Sequence, residues 1–118
     1  MRIISIDPGY DRLGVSVMEK DVKGKEVVLF SDCFLTDKKE SLEKRILFLG
    51  QEVKGVIKKW SPTHMAIEKL FFTKNQTTAM KVAEVRGVVI YEASQKGITI
   101  HEFSPQDIKI AVTGYGNA

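Results

Sequence analysis

The sequence predicts an α/β domain built on a mixed five-stranded sheet with helices on its faces. Three strand-like segments follow one another through short turns at the N-terminus. Two helical segments come later, and a further strand follows each of them. A meander joined to two βαβ crossovers places the later strands parallel to the first. The predicted order of elements is therefore βββαβαβα.

The strands are predicted from β-branched runs and from the alternation of apolar with small or polar residues. The first strand closes at Pro8-Gly9, a turn signal, and the second alternates with the period of two that one covered sheet face produces. Gly24 turns the chain into the third strand, where Cys33 stands in an apolar run and is expected to be buried. The predicted strands are residues 3–7, 13–19, 26–36, 65–67 and 98–103.

The first helix is predicted from apolar residues that recur at spacings of three and four. Ser41 can cap its N-terminus and Ser61-Pro62 ends it, while Lys44 and Arg45 are expected to face outward. The apolar stripe consists of Leu42, Ile46, Leu49, Val53, Ile57 and Trp60.

The second helix is predicted over residues 75–96, with Gly97 as its C-terminal cap. Small residues on one face of this helix would let a second helix or a partner subunit approach closely. A third, short helix is predicted to begin at Ser104-Pro105. The small residues are Ala79, Ala83 and Gly87.

The composition limits the class of protein. A chain of 118 residues with 43% hydrophobic and 28% charged residues has the composition of one folded domain, which excludes whole-chain disorder. No apolar stretch is long enough to cross a bilayer, and the N-terminal residues are expected to enter a strand rather than a signal peptide. A single cysteine cannot form an internal disulfide, so a cytoplasmic location is the expectation.

The net positive charge of the protein comes from the second half of the chain, where acidic groups are fewer. Residues 1–53 hold nine basic and ten acidic groups, whereas residues 54–118 hold nine basic and five acidic groups. Three lysines and no acid occur between Lys69 and Lys81, both included. Such a patch suits a polyphosphate partner, and a solvated helix face has the same composition.

Two carboxylates stand where an apolar strand ends. Asp7 ends the first strand and Glu68 follows the fourth, and both strands are expected to be central in the sheet. If these strands are neighbours, both acids emerge at the same sheet edge, where a hard divalent cation relieves their repulsion. The alternatives are a turn role for Asp7 before Pro8-Gly9 and an ion pair of Glu68 with a surface lysine.

Short motifs spread along nearly the whole chain resemble the RuvC family of Holliday-junction resolvases. The segment at 66–72 with Asn75 and the Arg86-Gly87 pair are the most specific, whereas the Asp-Pro-Gly element occurs in many ribonuclease H-like proteins. The matching segments are residues 6–9, 13–14, 66–72, 74–75, 86–88, 103–105, 109 and 112–118.

The resemblance implies a ribonuclease H-like fold and a homodimeric, Mg²⁺-dependent endonuclease, with Mn²⁺ as a substitute ion. Such an enzyme nicks two strands of a four-way DNA junction symmetrically in recombination and repair. A branch-migration motor complex is implied as a partner. Asp7 and Glu68 would be the catalytic, metal-binding carboxylates.

The residues expected to bind DNA follow the second of these acids. Phe71 resembles a family aromatic near the junction centre, where a ring can stack on an unpaired base, and Lys109 matches a basic family position. Phe71 could instead pack in the core, Lys109 could simply face solvent, and Arg86 could bridge to Glu84 or a neighbouring loop. The predicted DNA-binding residues are Phe71, Lys74, Asn75, Lys81, Arg86 and Lys109.

The sequence departs from the family pattern at its end. Family members continue past the Gly-x-Gly loop into helices that carry further acidic ligands, whereas this sequence ends at Ala118. We therefore expect one nuclease domain over residues 1–118 without that segment, as a fragment, a shortened form or a natural variant. His64 and His101 lack metal-ligand spacing to each other or to Cys33, so no zinc site is predicted.

Two alternatives to an active nuclease stay open. A junction-binding module without cleavage would follow from the incomplete set of carboxylates. A nucleotide-binding relative in the actin-kinase branch would need a second phosphate loop and a larger chain, and the sequence supplies neither.

Overall fold

The sheet forms around the apolar strands at residues 3–7 and 65–67, as the sequence predicts. The computed structural model describes residues 1–69 and 76–104, and the predicted third helix lies outside this part beyond Ser104. Within it the order of elements is βββαβαβ. The elements are β1 (Arg2–Asp7), β2 (Arg12–Lys20), β3 (Glu26–Leu35), α1 (Leu42–Trp60), β4 (His64–Glu68), α2 (Gln76–Gln95) and β5 (Thr99–Phe103).

The strand order across the sheet is β3-β2-β1-β4-β5. The first three strands pair antiparallel, while β4 pairs parallel to β1 and β5 parallel to β4. This arrangement confirms the predicted meander and crossovers, and it makes β1 the central strand. In the β1–β4 ladder Ile6 stands opposite Ile67, so the residues that follow them lie at the same edge of the sheet.

Both helices cover the same face of the sheet, because their buried residues join the strand residues in one apolar cluster. Ile4, Leu13 and Met65 are fully buried on that face. The opposite face, which we call the open face, carries the alternate residues of each strand, among them Ser5 and Ser16, which are directly paired. None of the helices in the described residues is long and apolar enough to span a membrane.

The first helix begins and ends as predicted, but one of its basic residues does not face outward. Ser41 caps the helix by accepting a hydrogen bond from the backbone N–H of Lys44, and Ser61 ends it in a left-handed conformation with φ of 48°. The side chain of Arg45 is only 10% exposed and binds the loop after β1 and the end of β3. Its position four residues before Leu49 brings it to the edge of the buried stripe.

Cys33 is exposed, and the prediction of a buried thiol is wrong. The reason is the register of the edge strand. Phe30 and Phe34 stand opposite Val17 and Leu13 and so share their covered face, whereas Cys33 stands opposite Gly14 on the open face. An apolar run in an edge strand is therefore buried on one face only.

Among the small residues of α2, Gly87 does not receive another element within the described residues. Ala79 is buried and Ala83 half-buried, but Gly87 is exposed and a methyl group at its position would meet open space. The close approach between the helices occurs elsewhere. A Cβ added to Gly50 of α1 would lie 2.8 Å from Cγ1 of Val88, so glycine is needed at position 50.

Two glycines of α1 provide a matched test of this contact. Gly55→Ala should raise the free energy of unfolding by about 0.5–1 kcal/mol, because alanine favours the helix and nothing lies within 4 Å of the new methyl group. Gly50→Ala should lower the free energy of unfolding by about 1 kcal/mol or more, because Val88 must move. Urea unfolding followed by circular dichroism measures both, and equal gains for the two variants would refute the helix contact.

Candidate active site

The parallel pairing of β1 and β4 brings the two predicted carboxylates together. Asp7 is the last residue of β1 and Glu68 the last of β4, each one position beyond the paired Ile6 and Ile67. Neighbouring strands lie about 4.8 Å apart, and both acids point to the open face. Asp7 is exposed and Glu68 half-buried. Neither forms an ion pair with any residue of the described ranges 1–69 and 76–104.

The acids line a cavity of about 470 Å³ that is open to solvent. Ser5, Ser16 and Gly14 also line it. Gly14 stands opposite Asp7 in the antiparallel ladder, and a Cβ at position 14 would lie 3.2 Å from the Cβ of Asp7. Glycine at this position therefore keeps the β2 side of the Asp7 side chain uncrowded.

The loop that follows Asp7 is held by Arg45 of α1. The Arg45 guanidinium donates to the backbone oxygen of Tyr10 at 3.4 Å and to the Thr36 hydroxyl at 3.0 Å, and it forms an ion pair with Asp11. Two cationic side chains pack against the Tyr10 ring: Arg45 Cζ lies 5.0 Å and Lys81 Nζ 5.1 Å from the ring centroid. These contacts join the loop after Asp7 to both helices.

The backbone at Glu68 is held by Arg86 of α2. Arg86 Nε donates to the Glu68 carbonyl oxygen at 3.1 Å, and Nη2 lies 2.8 Å from a carboxylate oxygen of Glu102 on β5. The Arg86 side chain is only 15% exposed. The partners of Arg86 are thus the Glu68 carbonyl and the Glu102 carboxylate. The ion pair with Glu84 that the sequence left open is wrong.

Two of the predicted DNA-binding residues contact groups next to the carboxylates in the chain. Lys81 is half-buried with its ammonium over the ring of Tyr10, three residues after Asp7, and Arg86 donates to the backbone oxygen of Glu68. Phe71, Lys74, Asn75 and Lys109 lie outside the described residues.

One basic residue near the site was missed by sequence reasoning. Arg12 is exposed and lines a second cavity, of about 270 Å³, together with Asp7 and Thr78. Its only signal in the sequence is its place in the short connection between a strand-end acid and the next strand, where the chain must pass close to that acid.

The donor chemistry fits a hard divalent cation. Two carboxylates supply the oxygen ligands that Mg²⁺ and Mn²⁺ prefer, and two protein ligands leave most of an octahedral shell to water and substrate oxygens. In the described part of the chain no group of three or more His, Cys, Asp or Glu side chains could hold a metal ion. Asp7 and Glu68 therefore stand as a two-carboxylate site there.

Comparison with known proteins places the chain in a family. The sequence profile described as crossover junction endodeoxyribonuclease RuvC matches residues 3–118. A protein of that name from Petrotoga mobilis is 42% identical over 119 residues, a match that covers 100% of this chain and 72% of the relative.

Solved structures agree with the sequence match. The RuvC structure of Thermus thermophilus superposes with a TM-score of 0.91 at 29% identity, and the match covers 100% of this chain and 72% of that one. A T. thermophilus RuvC in complex with a Holliday junction substrate matches equally well, at a TM-score of 0.91 and 28% identity. The fold is therefore ribonuclease H-like, as predicted, and the chain belongs to the family of RuvC crossover junction endodeoxyribonucleases.

Proposed function

We propose that the chain is a divalent-metal-dependent endonuclease that cuts four-way DNA junctions, with Asp7 and Glu68 as its metal-binding carboxylates. The observation that carries this proposal is the placement of these two acids at one sheet edge, at the ends of parallel neighbours. Membership of a family named for crossover junction cleavage supports the reaction. The likeness to a RuvC bound to Holliday junction DNA supports the substrate.

Phosphodiester hydrolysis requires an attacking water and stabilisation of charge at the phosphoryl oxygens. A bound Mg²⁺, or Mn²⁺ in its place, lowers the pKa of water and neutralises that charge. Asp7 and Glu68 would hold the ion. Gly14 leaves the β2 side of Asp7 uncrowded, and the cavity is open enough to solvent to admit the DNA backbone.

The DNA contacts we propose surround this cavity. Arg12 lies near Asp7 and Lys81 lies beside Tyr10, and both would bind phosphates by charge. Phe71 and Lys109 retain the roles that the family resemblance implies, and Lys74 and Asn75 stay predicted DNA contacts. Arg86 receives a different role. Its buried guanidinium holds Glu68, so we assign it as a positioning residue rather than a phosphate contact.

A homodimer fits the same function, because symmetric nicks in a two-fold junction need two matched sites. One exposed face of α2 combines Gly87 with Met80 and Tyr91, which are 63% and 60% exposed. These residues are spaced by seven and four, so they lie on one side of the helix. We propose this face as the dimer surface. We retain a branch-migration motor as an expectation from the family and a cytoplasmic location as an expectation from the single cysteine.

The carboxylate roles are tested by isosteric amides. Asp7→Asn and Glu68→Gln should each lower the rate of nicking of a labelled four-way junction in Mg²⁺ at least about 100-fold, because a neutral amide binds the ion poorly. Junction binding, measured by gel shift in Ca²⁺, should change by less than about threefold. Asp32→Asn is the matched control, since Asp32 lies beside the same cavity but stands opposite Val15, on the covered face of the sheet, and its carboxylate accepts a hydrogen bond from the N–H of Cys33.

Three outcomes would count against the assignment. Equal losses in Asp32→Asn would mean that any negative charge near the cavity matters. Retained nicking in the Asp7 and Glu68 variants would place the metal elsewhere. Junction binding without nicking by the unsubstituted chain would favour the binding module over the enzyme.

The positioning role of Arg86 has its own signature. Arg86→Gln should lower the free energy of unfolding by about 1–3 kcal/mol, because the Glu68 carbonyl loses a charged donor and Glu102 loses its ion pair. It should also raise the Mg²⁺ concentration needed for half-maximal nicking, with a smaller change in junction affinity. A phosphate-contact role would instead reduce junction affinity and its salt dependence, leaving the Mg²⁺ requirement unchanged.

The dimer surface is tested by a large side chain at Gly87, where the monomer leaves open space. Gly87→Leu should shift the chain toward monomer in sedimentation equilibrium by at least about tenfold in dissociation constant, because a leucine holds the two surfaces apart. The monomer fold should persist, since open space surrounds Gly87. Gly55→Leu, a change in equally open space on α1, is the control. Unchanged association in Gly87→Leu would exclude this face.

A further inference from the structure

Two histidines that the sequence separates by 37 residues meet on the open face of the sheet. His64 begins β4 and stands opposite Thr99, and His101 is the next residue of β5 on the same face. His64 Nδ1 and His101 Nε2 lie 3.1 Å apart, with the ring centroids 5.3 Å apart and the planes inclined by 26°. The two histidines have no metal-ligand spacing in the sequence, and only the parallel register of β4 and β5 brings them together.

The separation of the two nitrogens suits a shared metal ion. Imidazole nitrogens bind Zn²⁺ at about 2.0–2.1 Å, so two of them on one ion at angles of 90–110° lie about 2.9–3.4 Å apart. The observed 3.1 Å falls within this interval. In the absence of metal the same distance lets one neutral imidazole donate a hydrogen bond to the other.

We propose that His64 and His101 form a binding site for a borderline transition-metal ion such as Zn²⁺, Ni²⁺ or Cu²⁺. The two histidines lie on β4 and β5, which are hydrogen-bonded neighbours in the sheet. The sheet therefore holds the two imidazoles close together before the ion binds. His101 is exposed and His64 half-buried, so water can complete the coordination shell. No third His, Cys, Asp or Glu joins the pair within the described residues, which limits the site to two protein ligands.

This site differs from the carboxylate site in place and in chemistry. His64 lies four residues before Glu68 on β4, a distance of about 13 Å along the strand. Imidazole nitrogens favour the later transition metals, whereas carboxylates favour Mg²⁺ and Mn²⁺. The His64–His101 pair should therefore fill without competing with Mg²⁺ at Asp7 and Glu68. Because the ion would link β4 to β5, it should also stabilise the sheet.

The test uses the tag-free chain with Cys33→Ser, which removes an exposed thiol that could bind the same metals. Isothermal titration with Ni²⁺ and Zn²⁺ in excess Mg²⁺ should show one site per chain. His64→Gln and His101→Gln should each weaken binding at least about tenfold, because each leaves a single imidazole. Added Zn²⁺ should raise the thermal midpoint of the Cys33→Ser chain and leave the midpoints of both histidine variants unchanged.

A second measurement needs no histidine variant. The Cu²⁺-loaded Cys33→Ser chain should give an electron paramagnetic resonance spectrum with hyperfine coupling to two imidazole nitrogens. Coupling to one nitrogen or none would overturn the proposal, as would equal Ni²⁺ affinity in the parent and both variants. Loss of metal binding on Cys33→Ser alone would assign it to the thiol and also overturn the proposal.

Discussion

The parallel pairing of β1 with β4 is the constraint on which the site depends. It places Ile6 beside Ile67, and so brings Asp7 and Glu68 to one edge although 60 residues separate them in sequence. The apolar residues of both strands bury themselves under α1 and α2, which fixes the register. A shift of β4 by one residue would move Glu68 to the covered face, where an unpaired carboxylate is costly.

Two arginines support this arrangement from the helical side. Arg45 of α1 holds the loop after Asp7, and Arg86 of α2 holds the carbonyl of Glu68. A partly buried guanidinium is stable only when acceptors surround it, and each arginine finds a carboxylate, Asp11 or Glu102, together with backbone oxygen. The helices thus contribute orientation to the site as well as apolar cover.

The local elements and the two carboxylates could be predicted from the sequence, because each rests on residues close together in the chain. The stripe of α1, its cap at Ser41 and the Asp-Pro-Gly end of β1 are signals of this kind. The exposure of Cys33 could not be predicted, because it depends on the edge position of β3 and on the register that sets Cys33 opposite Gly14. The inward turn of Arg45 likewise depends on Thr36 and the distant loop after Asp7.

By itself the sequence determined the order of the elements, the family and the two acids at strand ends, because hydrophobic periodicity, turn residues and motif spacing are local properties of the chain. Only the tertiary structure decided which separated residues meet. It joined Arg86 to Glu68 and Glu102, and it set His64 beside His101. Such contacts follow from strand order and register, which result from burying the whole apolar cluster at once rather than from any one segment.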